Sequence, residues 1–139
     1  MTAKTQYISL KTLGEGSIID LTSKVAEIVE KSKIKEGTAT VFCVGSTGAI
    51  STIEYEPGLQ KDLPKILDKI APSDFPYSHH TTWNDNNGRS HVRATLIGPS
   101  LTVPITSGKL VLGQWQQIVF IELDTRGRDR QIAVQITGE

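Results

Sequence analysis

The sequence predicts an α+β domain dominated by antiparallel strands, arranged as a two-sheet β-sandwich with two main helices. Three observations lead there. Strand-like runs outnumber helical stripes, and the two do not alternate as a doubly wound parallel fold requires. Only two stretches carry apolar residues at helical spacing. Val119, Phe120, Ile121 and Leu123 are apolar on both faces of one run, and Ile132, Val134 and Ile136 line at least one face of another. The C-terminal strands are therefore expected to be covered by a second sheet, a helix or another subunit.

Residues 5–11 read as a first strand and residues 18–19 as a short second one, separated by a turn at Gly14, Glu15 and Gly16. Val25, Ile28, Val29 and Ser32 fall on one face of a helix that the Thr22 hydroxyl is placed to cap. Gly37 ends the connection that follows. Residues 38–44 are rich in β-branched side chains and read as a buried strand; Gly45-Ser46-Thr47-Gly48 interrupts it, and residues 50–55 resume as a strand. Leu59, Leu63, Ile66, Leu67 and Ile70 form the second helical stripe. Pro64 is awkward inside a helix because its ring clashes with the preceding turn, so the regular helix is expected to begin near Asp62. Pro72 and Pro76 close it. A polar loop follows, then strands at 92–97, 101–105, 109–112, 117–123 and 131–137, with a hairpin turn at Thr106, Ser107 and Gly108.

A chain of 139 residues makes one domain, residues 1–139, with a single sizeable core. Lys and Arg number 15 and so do Asp and Glu, so there is no basic excess of the kind nucleic-acid binding needs. No nucleic-acid partner is expected. The lone Cys43 sits among Val41, Phe42 and Val44 and reads as a small core residue. The N-terminal segment lacks a signal-peptide core, and no apolar run is long enough for a membrane span. A reduced, cytoplasmic protein working away from membranes is expected.

Residues 77–117 carry the most chemical information. All three histidines, His79, His80 and His91, lie there around a polar turn holding Asp85, Asn86, Asn87 and Gly88. Imidazoles gathered at a polar turn can ligate a metal or move protons. His79 and His91 are candidate ligands for a divalent ion such as zinc, with Asp85 or Glu54 as a carboxylate. No HExxH, HxH or CxxC spacing supports this, and hydrogen-bonding loop histidines remain the alternative. His80 is expected to point elsewhere. Ser46 and Thr47, flanked by glycines between two strands, can turn N–H and O–H groups toward an anion or form a plain tight connection. Glu54, beside Tyr55 and Glu56, is a candidate general base, or else a solvated carboxylate near a helix N-terminus. Trp115 can stack on a flat heterocycle while the Gln116 amide reads its edge, or Trp115 can pack in the core. Arg126, with Arg128 and Arg130, offers guanidinium forks for phosphate or decorates an exposed hairpin tip.

Taken in order, these residues resemble the YjbQ-like family, known as secondary thiamine-phosphate synthases. The likeness runs from about Val41 to the C-terminus through Tyr77-x-His79, Asn87-Gly88-x-x-His91, Leu96-Ile97-Gly98-Pro99-Ser100 and Val103-Pro104. It continues through Gly108-x-Leu110, Leu112-Gly113-x-Trp115-Gln116, Glu122-Leu123-Asp124 and Gly138-Glu139. The resemblance implies strands in two sheets with helices against them, and a homotrimer with sheets packed around its threefold axis. It implies a weak transferase joining a pyrimidine methyl pyrophosphate to a thiazole phosphate, with zinc or magnesium as a possible helper. His79 and His91 match the family's histidines, Glu54 its acidic residue after the hydroxyl loop, and Gln116 its glutamine after tryptophan. One position departs: where the family commonly opens the hydroxyl motif with histidine, this chain has Gly45. An oligomeric binding protein for a metal or small anion is the non-enzymatic alternative, and a metal-dependent hydrolase another.

Overall fold

The computed structural model describes residues 1–139 and holds two antiparallel sheets and four helices. In chain order the elements are β1 (Thr2–Lys11), β2 (Ile18–Asp20), α1 (Thr22–Ser32), β3 (Gly37–Val44), β4 (Gly48–Ile53), α2 (Pro57–Ile70), α3 (Ser78–Trp83), α4 (Gly88–Ile97), β5 (Ser100–Thr106), β6 (Lys109–Leu110), β7 (Gln117–Glu122) and β8 (Asp129–Gly138). The larger sheet runs β1-β8-β3-β5-β6 and the smaller β2-β7-β4. The chain passes from the larger sheet to the smaller through residues 45–47. The chain changes sheet six times, and the crossings from β1 to β2, from β3 to β4 and from β7 to β8 share one end of the structure, where Lys11 pairs with Asp129, Val44 with Gln131 and Gly48 with Glu122.

Alternation sets the faces. On β8, Arg130, Ile132, Val134 and Ile136 are buried while Gln131 and Gln135 are exposed. On β3, Ala39, Val41 and Cys43 point inward. These side chains meet Ile50, Ile118 and Phe120 of the smaller sheet and Val25 and Val29 of α1 in one apolar cluster of 17 buried residues. Every residue of β7 after Gln117 is buried, as its doubly apolar sequence predicts, because α2 and α4 cover the face turned away from this cluster. Cys43 is fully buried and its thiol is pushed up by burial.

Four sequence expectations are corrected. Residues 92–97 are not a strand but the second half of α4. Its inward side chains, Ser90, Arg93 and Ala94, are small or polar, so they leave no apolar stripe, while β-branched Val92, Thr95 and Ile97 read as strand. The polar loop is partly the short helix α3. Helix α2 starts at Pro57, five residues before Asp62, because the Glu56 carboxylate accepts the N–H groups of Gly58 and Leu59 at 2.9 and 2.5 Å and fixes a start that tolerates Pro64 further on. Thr22 is not the cap of α1: its hydroxyl donates to the Asp20 carboxylate at 2.7 Å and accepts from Ile118 N–H at 2.9 Å, tying the helix to β7. No helix is long and apolar enough to cross a membrane.

Candidate functional site

Helices α3 and α4 bring His79 and His91 together. The rings lie 4.5 Å apart between centroids, tilted by 54°. Asn84, at the end of α3, takes a left-handed φ of 53°, and the chain doubles back to begin α4 at Gly88. A side chain at Gly88 is excluded, since a Cβ there would sit 2.5 Å from that of Tyr77. The Gly88 N–H donates to His80 Nε2 at 3.1 Å. His80 thus pins the two helices together and stands apart from the pair, because it follows His79 on a helix rather than on the extended segment that sequence reading assumed.

Behind the pair runs a chain of polar contacts into the protein. His79 Nε2 meets Asn87 Oδ1 at 3.0 Å and Asp85 Oδ1 at 3.1 Å; both are acceptors, so this nitrogen carries the proton. The Asn87 amide nitrogen donates to Asp124 Oδ1 at 3.3 Å. Asp124 Oδ2 accepts from Arg128 Nε at 2.7 Å and from the Thr47 hydroxyl at 3.2 Å. Thr47 in turn accepts from Arg130 Nη2 at 2.8 Å. Arg130 also grips Glu122 through Nε at 2.9 Å and through Nη2. Thr12 closes the network on Glu122 at 2.6 Å. Glu122, Asp124, Arg130 and Thr47 are all buried.

Charge follows this wiring. Burial alone would raise the Asp124 carboxyl, but hydrogen bonds from Thr125 N–H, Asn87 and Arg128 outweigh it and hold Asp124 below the ordinary carboxylate value. His91 is pushed below the usual 6.5 by burial first and by His79 second, against an opposing pull from Asp124 and Asp85. His91 is therefore neutral at pH 7. Two opposite shifts are expected in a proton-NMR titration. His79→Gln removes a depressing neighbour and raises the His91 pKa toward 6.5, whereas Asp124→Asn removes a raising one and lowers it further. No movement in either variant would show that His91 senses burial alone. For stability the sign follows from the depressed folded value. The unfolded chain takes the proton first, so His91 contributes no penalty above 6.5 and an increasing one as pH falls through its folded pKa.

The remaining predicted site residues divide into two places. Thr47 belongs to the network, and exposed Ser46 sits beside it in the loop between β3 and β4. Arg126 is exposed on the connection from β7 to β8 and bonds nothing in the network, whereas Arg128 and Arg130 do. Glu54 lies past the far end of β4, and Trp115 and Gln116 lie just before β7. The register pairs Gly48 with Glu122 at one end of this ladder and Ile53 with Gln117 at the other. The histidine end and the Trp115 end are thus separated by the length of the ladder, roughly 20 Å. Trp115 is 65 % exposed, which removes the core reading, and Gln116 bonds Thr52 and its own loop. Of the neighbouring carboxylates, Glu56 is the one that serves a helix N-terminus.

Sequence reading gave no site role to Asn87, Glu122 or Asp124, and it read Arg128 and Arg130 as phosphate forks beside Arg126 rather than as partners of buried carboxylates. The signal was present: a carboxylate at Glu122 inside an otherwise apolar strand must be paired, and an arginine follows at 130 on an inward position of the next strand. As a metal site, the donors of one chain do not fit. His79 presents a protonated nitrogen to Asp85, and no three His, Cys, Asp or Glu side chains gather to hold an ion.

Comparison with known proteins agrees with this architecture. A family model described as "UPF0047 protein YjbQ-like" matches residues 6–139. A UPF0047 protein of Methanothermobacter thermautotrophicus is 41% identical over 139 residues, which span all of this chain and 95% of that one. The UPF0047 protein YugU of Bacillus subtilis is 29% identical over 118 residues, 84% of this chain and 87% of that one. Among solved structures, a YbjQ-like protein of unknown function from Sulfolobus solfataricus superposes with a TM-score of 0.88 at 34% identity, covering 99% of this chain and 100% of that one. A hypothetical protein from Aeropyrum pernix K1 gives 0.88 at 30% identity over 98% and 99%.

Proposed function

The chain belongs to the UPF0047, YjbQ-like family, and on that premise we propose that it is a homotrimeric transferase of the secondary thiamine-phosphate synthase type, with the histidine pair at its working end. The observation that supports this is the packing of neutral His91 against His79, itself oriented by the Asn87–Asp124 chain, at the end of the sheet where Arg128 and Arg130 emerge.

In such a reaction the bond from the pyrimidine methylene carbon to oxygen breaks, and pyrophosphate leaves with the electron pair. The thiazole ring nitrogen supplies the pair for the new carbon–nitrogen bond. No protein nucleophile is needed. The chain must hold two phosphate-bearing molecules and receive negative charge as it develops. Ser46, Thr47 and Arg126 would hold phosphate oxygens, and His91, in its protonated form, would give its proton to the departing pyrophosphate. A zinc or magnesium ion at His79 and His91 would need its other ligands from substrate or from a second copy. Elemental analysis of untagged protein, wild type beside His91→Ala, tests for it.

Glu54, Trp115 and Gln116 fit this reading as heterocycle-orienting groups from a neighbouring copy, because within one chain they lie at the opposite end of the ladder. The outer face of the larger sheet supports association. It carries Tyr7, Phe42 and Val44, 62, 42 and 52 % exposed, and Tyr7, Ala133, Phe42 and Ser100 form one registered row across four strands with no charge in it. Light scattering should give three times the chain mass of 15.2 kDa, and Phe42→Asp should give a single-chain mass. A wild-type monomer would remove the trimer.

Incubation with the two precursors tests the reaction itself. Thiamine phosphate and pyrophosphate should appear in equal amounts, in proportion to enzyme and over many turnovers. Binding of both precursors without turnover would leave an anion-binding protein instead.

A further inference from the structure

Arg130 is used unevenly. It is 6 % exposed, and its Nε and Nη2 are spent on Glu122 and Thr47. Nη1 makes no hydrogen bond. Ser90 Oγ is the one fully buried side-chain polar atom without a partner, so the Nη1 protons face solvent. The opening through which they do so is Gly45. A Cβ at that exposed position would sit 2.9 Å from Arg130 Nη1 and close it. Gly45 holds a φ of +154°, outside the range other residues adopt with ease. A second observation concerns the same loop: the backbone N–H groups of Gly45, Ser46 and Thr47 find no acceptor in the chain. A guanidinium held rigid by a buried carboxylate, with one edge free beside a run of unpaired N–H groups, is a built receptor for a tetrahedral oxyanion.

We propose that Arg130 Nη1, reached over Gly45, seats a phosphoryl group, with the N–H groups of residues 45–47 as its further donors. Buried Glu122 and Thr47 fix the guanidinium plane, so the free edge is preorganised. Phe120, whose ring centroid lies 5.6 Å from the guanidinium carbon, supports its face. The glycine that departs from the family pattern is here the feature that opens the receptor. The inference stands whether or not the protein turns a substrate over, because it concerns binding of the anion alone.

Inorganic pyrophosphate and phosphate are the probes, titrated into the full chain by calorimetry and followed by amide NMR. The wild type should bind pyrophosphate, with the Gly45, Ser46 and Thr47 amide signals moving together. Gly45→Ala should weaken binding by at least about ten-fold, the weight of a lost charge-assisted hydrogen bond. Gly98→Ala is the control. Gly98 also has a positive φ, +102°, but a Cβ there meets nothing within 4 Å, so this variant carries comparable backbone strain and should keep wild-type affinity. Equal binding in Gly45→Ala and wild type would overturn the proposal. So would an equal loss in Gly98→Ala, or wild-type amide shifts confined to other residues. Should Gly45→Ala fail to fold, the wild-type amide shifts decide alone.

Discussion

Glu122→Ala lowers the stability of the folded chain by about 3–5 kcal/mol, measured by urea unfolding at matched protein concentration. Glu122 has no exposed surface and accepts from Thr12, from Asp124 N–H and from two nitrogens of Arg130. Its removal leaves the Arg130 charge inside the protein without a counter-ion. Burial on its own would depress the Arg130 pKa; Glu122 more than reverses this, so Arg130 keeps its charge inside the protein. The double variant Glu122→Leu, Arg130→Met is expected to be less destabilised than Glu122→Ala, because no lone charge remains. A Glu122→Ala protein within about 1 kcal/mol of wild type would show that the solvent reaching Nη1 solvates the whole guanidinium and that Glu122 is not its needed counter-ion.

If the proposed reaction holds, His91→Ala has the second large effect: formation of thiamine phosphate falls by about 10²–10⁴-fold while unfolding moves little. The separation of the two readouts is the point. His91 is half-buried on α4 and belongs to neither apolar cluster, so its removal opens no cavity in the core. His91→Gln keeps a hydrogen-bonding end but no titrating group, and should be as inactive. A Gln variant with wild-type turnover would reduce His91 to a positioning group. The proposed homotrimer adds a third expectation. Co-refolded mixtures of His91→Ala and Gln116→Ala chains should recover activity that neither homotrimer has, if the two ends of the ladder meet between copies. Mixtures no more active than their components would confine each site to one chain.

Much of the fold was legible because hydrophobic pattern speaks clearly for strands buried on both faces. The doubly apolar run of β7 and the alternation of β8 announced two covered strands, and the stripes of α1 and α2 announced their helices. Helix α4 was illegible for a physical reason. It packs on β4 through Ser90 and Ala94 and buries Arg93 against the Ala71 carbonyl, so its inward face carries almost no hydrophobic signal. The histidine pair was legible from its clustering in sequence. Its support was not, since Thr47 lies on the β3–β4 crossing and Asp124 and Arg130 flank the β7–β8 crossing, and the two meet only because those crossings share one end of the structure. The same topology accounts for the division of the predicted site residues. Glu54 and Thr47 are neighbours in sequence reading, but the six residues of β4 stand between them and hold them apart.

The pH dependence of thiamine phosphate formation tests the central claim most directly, measured as product per chain across about pH 5–8 with both precursors saturating. Turnover that depends on His91 as proton donor gives many products per chain and a rate that falls as pH rises past a midpoint below 6.5, which moves upward in His79→Gln. No product beyond one per chain at any pH, or a limb that His79→Gln leaves in place, would contradict catalysis by the histidine pair.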